Sequence, residues 1–255
     1  MILPDNRVAA ALPAAYRFSV GSFHAALRVS QILAILTILL GASVLAGWAF
    51  HVQSLETILP GYVSMKANAA LCFVLSGASL LIGYLSRPRT WKKNWSFFLA
   101  VAVVLIAGLT LFEDVANRSI GLDELFFRDT AGAVHTASPG RMATNTSIGF
   151  LLFGAALIFL SRGSRGAQAA HALAMGGLFV ALLSLLGYLF NAQIFVSFFS
   201  LTWVALHTMA GFWLLGLAIL CARPKKGLMA AILADSPGGL IARRLIAPAI
   251  FTPLS

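Results

Sequence analysis

Six apolar runs, at about residues 29–50, 68–85, 96–112, 145–160, 172–190 and 204–222, alternate along the chain with polar breaks. Each approaches the roughly 20 residues that an α-helix needs to cross the hydrocarbon core of a bilayer. The first 28 residues are polar and basic, with Pro4 and Pro13, and read as a cytoplasmic tail ending in a short interfacial helix over Tyr16–Leu27. Ser86 to Trp95 reads as a hairpin loop with two interfacial tryptophans, and Glu113 to Arg141 as a long polar loop. Behind the sixth run come Arg223-Pro-Lys-Lys, a semi-apolar segment from Gly227 to Ala234, and the break Asp235-Ser-Pro-Gly-Gly. A seventh apolar run starts at Leu245 and reaches only Ser255, so a truncated seventh span is expected.

The runs are related to one another. Asn68 opens the second, Asn145 the fourth and His207 the sixth. In each case a phenylalanine follows five residues later (Phe73, Phe150, Phe212) and a glycine nine residues later (Gly77, Gly154, Gly216). Recurrence of one pattern at a long period is the mark of a repeated structural unit. The expected fold is therefore an all-α integral membrane protein: a bundle of three repeated helical hairpins, six spans in all. The repeats lie at about 29–86, 96–162 and 172–222, and residues 223–255 form a cytoplasmic connector and the start of a seventh span. The glycines and their small neighbours are expected to let the helices approach closely.

Composition agrees with this pattern. The chain is 60% hydrophobic and only 10% charged, and its mean hydropathy is +0.90. A soluble domain carries about 25% charged residues. The net charge of +10 would suggest nucleic acid until the charges are placed. Of 18 Lys and Arg, 14 fall in the N-terminal tail and in the loops after the second, fourth and sixth runs. The other side holds Lys66, Arg118, Arg128 and Arg141, together with six of the eight carboxylates. The positive-inside rule puts the N-terminus in the cytoplasm and makes the bilayer, not nucleic acid, the partner. The bacterial inner membrane is the expected location.

No catalytic motif is present: there is no GxSxG, P-loop, HExxH or Rossmann fingerprint. Cys72 and Cys221 both lie in apolar runs and read as small core residues rather than a disulfide or metal pair. What remains is a set of polar groups at the outer ends of the runs. Asn68, Glu113, Asn145, Tyr188 and His207 are the candidate ligand-binding residues of an outer pocket, with His51 and Met65, Met142 and Met209 close by in sequence. Ionisable groups at membrane depth are costly and point to function. Competing duties are structural. Asn68 and Asn145 fit as helix N-caps, Glu113 as the first solvated residue of the outer loop, and His207 as a hydrogen-bonded core residue. His24, His135 and His171 read as solvated. His51, His207, Glu113 and the methionines also form a candidate haem or copper set, though no pair has local ligand spacing.

The strings Leu59-Pro-Gly-Tyr-Val-Ser-Met-Lys-Ala-Asn68, Pro139-Gly-Arg-Met-Ala-Thr-Asn145-Thr and Ala205-Leu-His207-Thr-Met-Ala-Gly-Phe212 resemble a bacterial membrane sensor family. Its members are multi-span N-terminal regions that precede PAS, histidine kinase or diguanylate cyclase modules. The likeness runs from about residue 30 to the end. Where the family has Met-x-Pro-Asn-Thr, this chain has Met65-Lys-Ala-Asn-Ala69 and Met142-Ala-Thr-Asn-Thr146. The resemblance implies a sensory input domain that passes an envelope or membrane stimulus to a cytoplasmic kinase or cyclase module, as a homodimer. The ligand and any cofactor stay unknown at this point, and enzymatic activity would belong to a longer parent protein. A small transporter or channel is the rival expectation, since repeats are common there too. A haem- or metal-binding membrane protein is a third.

Overall fold

The computed structural model describes residues 20–57, 63–85, 90–116, 140–162, 166–189 and 204–234, with 238, 239, 241 and 244. Every extended element among them is helical. In chain order they are α1 (Val20–Phe50), α2 (Gln53–Glu56), α3 (Ala67–Leu80), α4 (Thr90–Val115), α5 (Thr144–Ser161), α6 (Ala167–Leu189), α7 (Leu206–Cys221) and α8 (Gly227–Leu233). A wider π turn over Leu81–Leu85 extends α3. Four helices, α1, α4, α5 and α6, are long and apolar enough to cross a membrane. Two shorter apolar helices, Ala67–Gly83 and Leu206–Cys221, complete the set. At 1.5 Å per residue the shorter pair reach about 25 Å, a little under the roughly 30 Å hydrocarbon core.

Several boundaries differ from the sequence expectation. Residues 20–28 are not a separate interfacial piece, because α1 runs unbroken from Val20 to Phe50. Both prolines of the tail lie before it, and nothing between Ser22 and Val29 interrupts backbone hydrogen bonding. Helix α4 starts at Thr90, so Trp91 to Trp95 are helical rather than loop. An apolar run marks the part of a helix that meets lipid. The backbone ladder continues past it, and long-stemmed Lys92, partly exposed, and Lys93, exposed, are compatible with that end of the helix. Helix α2, a single turn behind α1, was not expected. The N-terminal tail before residue 20, most of the Glu113–Arg141 loop, and the seventh run lie outside the described residues.

The six apolar helices close a ring in which each packs on its neighbours in sequence: α1, α3, α4, α5, α6, α7 and back to α1. The ring has an inner and an outer set. Of α3, α5 and α7, most residues are buried, including Phe73, Phe150, Phe153, Phe212 and Leu215. Helices α1, α4 and α6 form the sheath. Ile32, Ile35 and Leu39 of α1 are exposed, as are Phe98, Leu105 and Phe112 of α4, and Phe179 of α6. Apolar side chains presented outward around a bundle match a lipid surround. Where 56% of the most apolar window of α5 is buried, the corresponding figures are 33% for α1 and 28% for α4.

At the centre the three phenylalanines of the sequence pattern meet. Ring centroids are 4.8 Å apart for Phe73–Phe150, 5.0 Å for Phe150–Phe212 and 5.6 Å for Phe73–Phe212, all edge-to-face. That is the geometry that ring quadrupoles favour. The glycines of the pattern also share one duty. A Cβ on Gly77 would come within 2.6 Å of Ile38 Cγ1 on α1. On Gly154 it would come within 2.7 Å of Val104 Cγ2 on α4, and on Gly216 within 2.6 Å of Leu178 Cγ on α6. Each inner helix thus carries a notch that admits a branched side chain from the sheath helix before it.

Candidate functional site

The inner helices begin at Ala67, Thr144 and Leu206, two residues earlier than the N-cap reading requires. Lys66, Ala143 and Ala205 occupy the cap positions, in extended or near-extended backbone, and none caps with its side chain. Asn68, Asn145 and His207 are therefore the second helical residue of α3, α5 and α7. The asparagines still serve the free amides of the first turn. Asn68 Oδ1 accepts the Ala69 N–H at 2.8 Å, and Asn145 Oδ1 accepts the Thr146 N–H at 3.2 Å. The cap expectation was two positions out, because extended backbone at Lys66, Ala143 and Ala205 suffices to end the helix without a side-chain oxygen.

Five residues, or about 7.5 Å of helix, separate this trio from the phenylalanine cluster below it. Between them and around them lies a buried polar layer. Lys66, Asn68, Thr110, Glu113, Asn145, Thr146, Ser147 and Thr208 are all buried. Glu113 is fully enclosed at 0% exposure, two residues before the end of α4, and is not the first solvated residue of a loop.

One corner of the layer is cross-linked. Asn145 Nδ2 donates to Ser184 Oγ on α6 at 3.2 Å, and Ser184 Oγ in turn donates to the Val180 carbonyl at 3.0 Å. Thr144, beside Asn145, donates its hydroxyl to Asp114 on α4, and Arg141 Nη1 lies 3.9 Å from Asp114 Oδ1. Helices α4, α5 and α6 are thereby tied at this end. On the far side, Trp48 Nε1 donates to the Met65 carbonyl at 2.9 Å, holding the entry to α3 against α1. The Met65 N–H also reaches the Glu56 carbonyl at 2.9 Å.

Of the five candidate residues, Asn145 is directly bonded into this corner, and Glu113 precedes Asp114 on the same turn. Asn68 and His207 share the depth of Asn145 on the two other inner helices, and no hydrogen bond found among the described residues joins either to it. His207 is half-buried, and its Nδ1 is enclosed without a hydrogen-bond partner among the described residues. Tyr188 is on the turn of α6 after Ser184, and its side chain lies outside the described residues. Met65, Met142 and Met209 are buried beside the layer. His51 is exposed behind α1, in left-handed backbone with φ 56°. His171 is a correction: it is 3% exposed, inside α6, at the opposite end of the bundle. No group of three or more His, Cys, Asp or Glu that could hold a metal occurs among the described residues.

Sequence reasoning missed Lys66, Asp114, Arg141, Thr144 and Ser184. Lys66 and Arg141 are two of the few cations on the less basic side, which was a usable signal. Ser184 was not findable, since a lone serine in an apolar run is ordinary. No protein-family model, curated protein or solved structure matches the chain.

Proposed function

We propose that the chain is a membrane-embedded sensory input unit: three repeated hairpins, six spans, with the N-terminus and the connector on the cytoplasmic side. The observation that carries the reading is the buried polar layer stacked on the phenylalanine cluster. Three inner helices converge there, and each contributes an equivalent residue at both levels. Such a centre responds as a unit. A stimulus that reorders the polar layer shifts the aromatic contacts beneath it, and helices packed this tightly switch between discrete arrangements rather than deform smoothly. Helix α7 leaves this centre and runs straight to the connector, where α8 packs against α6 and α7. The output would be a kinase or cyclase module, working in a homodimer, as the family resemblance implies.

The test is a fusion of the full chain to a reporter kinase module, with Glu113→Gln, Asn145→Ala and His207→Ala introduced singly. The expected result is altered basal output or lost response to envelope stress, with folding intact. Unchanged signalling in all three properly folded variants would sink the polar layer as the sensing site.

A further inference from the structure

The opposite end of the bundle carries a different chemistry. Here α1 and α4 begin, α5 and α7 end, and α8 docks. Ser30 Oγ donates to the Ala218 carbonyl at 2.6 Å, and Ser79 Oγ to the Ser96 carbonyl at 2.8 Å, which fixes these ends at one level. Arg28, Lys92, Lys93, Arg162, Lys225 and Lys226 gather there. The described carboxylates, Glu56, Glu113 and Asp114, belong to helices α2 and the far end of α4, at the other end. Nothing anionic among the described residues neutralises this face.

Three of the cations rest on aromatic rings. Lys92 Nζ is 5.7 Å from the Trp91 ring centroid, Arg162 Cζ 5.0 Å from Phe159, and Lys225 Nζ 4.6 Å from Phe23. They stand on α4, on the end of α5, and where the exit from α7 meets α1. Trp91 is 52% exposed and Trp95, one turn on, 58%. An aromatic body beneath a cationic head suits the boundary where hydrocarbon gives way to charged headgroups. Helix α8 follows the Lys225–Lys226 pair with Leu228 41% exposed, and beyond it Ile241 is 58% exposed.

We propose that this end is a docking surface for anionic phospholipid headgroups, gripped by the pairs Trp91–Lys92, Phe159–Arg162 and Phe23–Lys225. The charge of the surface selects the lipid, and the aromatic rings set its depth. Because Lys225 links the surface to the first turn of the connector, anionic lipid also holds α8 at the headgroup layer. The inference rests on the membrane reading of the bundle, not on its sensory role, so a failed signalling assay leaves it standing.

The test is native mass spectrometry of the full chain released from mixed micelles of phosphatidylglycerol and phosphatidylcholine. The expected result is retention of phosphatidylglycerol over phosphatidylcholine, falling roughly fivefold for each cation removed in Lys92→Gln, Arg162→Gln and Lys225→Gln. The preference should weaken as salt rises from about 0.05 to about 0.5 M, a measurement on the native chain that needs no variant to fold. Lys92→Arg with Lys225→Arg should keep it. Equal retention of the two lipids overturns the proposal and leaves the face to a soluble acidic protein. Undiminished preference in the triple glutamine variant, or displacement of the lipid by inorganic phosphate at equal concentration, overturns it as well.

Discussion

Replacing Phe150 with alanine removes one corner of the central aromatic triangle. The side chain is fully buried, and its ring lies 4.8 Å from that of Phe73 and 5.0 Å from that of Phe212. In a water-soluble core the change would cost about 3–5 kcal/mol. Part of that figure is transfer from water, which a bilayer does not supply because lipid tails are as apolar as the core. Two ring–ring contacts at about 0.5–1.5 kcal/mol each remain, together with the dispersion lost around the cavity. About 2–3 kcal/mol is the expected total. For a chain of this size that lowers the unfolding midpoint by about 5–10 °C. The assay is loss of the monodisperse size-exclusion peak after heating in detergent. Phe98→Ala is the control, since Phe98 is 62% exposed on the sheath and should change stability by less than about 0.5 kcal/mol. Phe73→Ala and Phe212→Ala should match Phe150→Ala, and the Phe73/Phe150 double variant should lose less than the sum by about 1 kcal/mol. Equal losses at Phe98 and Phe150, or strict additivity within the triangle, would refute the argument that these rings form the centre of the bundle.

Three further outcomes are expected. Gly211→Ala places a Cβ about where the Phe73 ring stands, 2.7 Å from its Cε1; it should destabilise by about 1–3 kcal/mol, and Phe73→Leu should rescue it in the same thermal assay. Asn145→Ala loses the bonds to Ser184 and to the Thr146 amide, worth about 1–2 kcal/mol in a membrane interior; Ser184→Ala in that background should add almost nothing, and an additive loss would show that the pair is not coupled. Orientation is checked by single cysteines at Lys92 and at exposed Gln53 in a background with Cys72 and Cys221 replaced. A membrane-impermeant maleimide should label Gln53→Cys in intact cells lacking an outer-membrane barrier and Lys92→Cys only in inverted vesicles.

The apolar helices and their hydrophobic character were legible in the residues. A segment of some 20 apolar side chains has few alternatives to a helix, because no water is available to satisfy its backbone. The sequence pattern also singled out Phe73, Phe150 and Phe212 and their glycines, since equivalent packing demands equivalent residues at equivalent spacing. Spacing alone could not say that the three phenylalanines touch. Contact between residues more than 60 positions apart depends on how the ring of helices closes, and that is a property of α7 packing back on α1. Burial was left open for Glu113 and misread for His171. Position along an apolar run tells how deep a residue lies, and only the neighbouring helices decide whether it faces lipid, water or protein. The same holds for Asn145, whose role depends on Ser184 and on Thr144–Asp114. The chain by itself therefore determined a basic-ended membrane bundle with a repeated Asn/His–Phe–Gly signature. Tertiary packing decided that the signature lies on the inner helices, where it builds an aromatic centre under a buried polar layer.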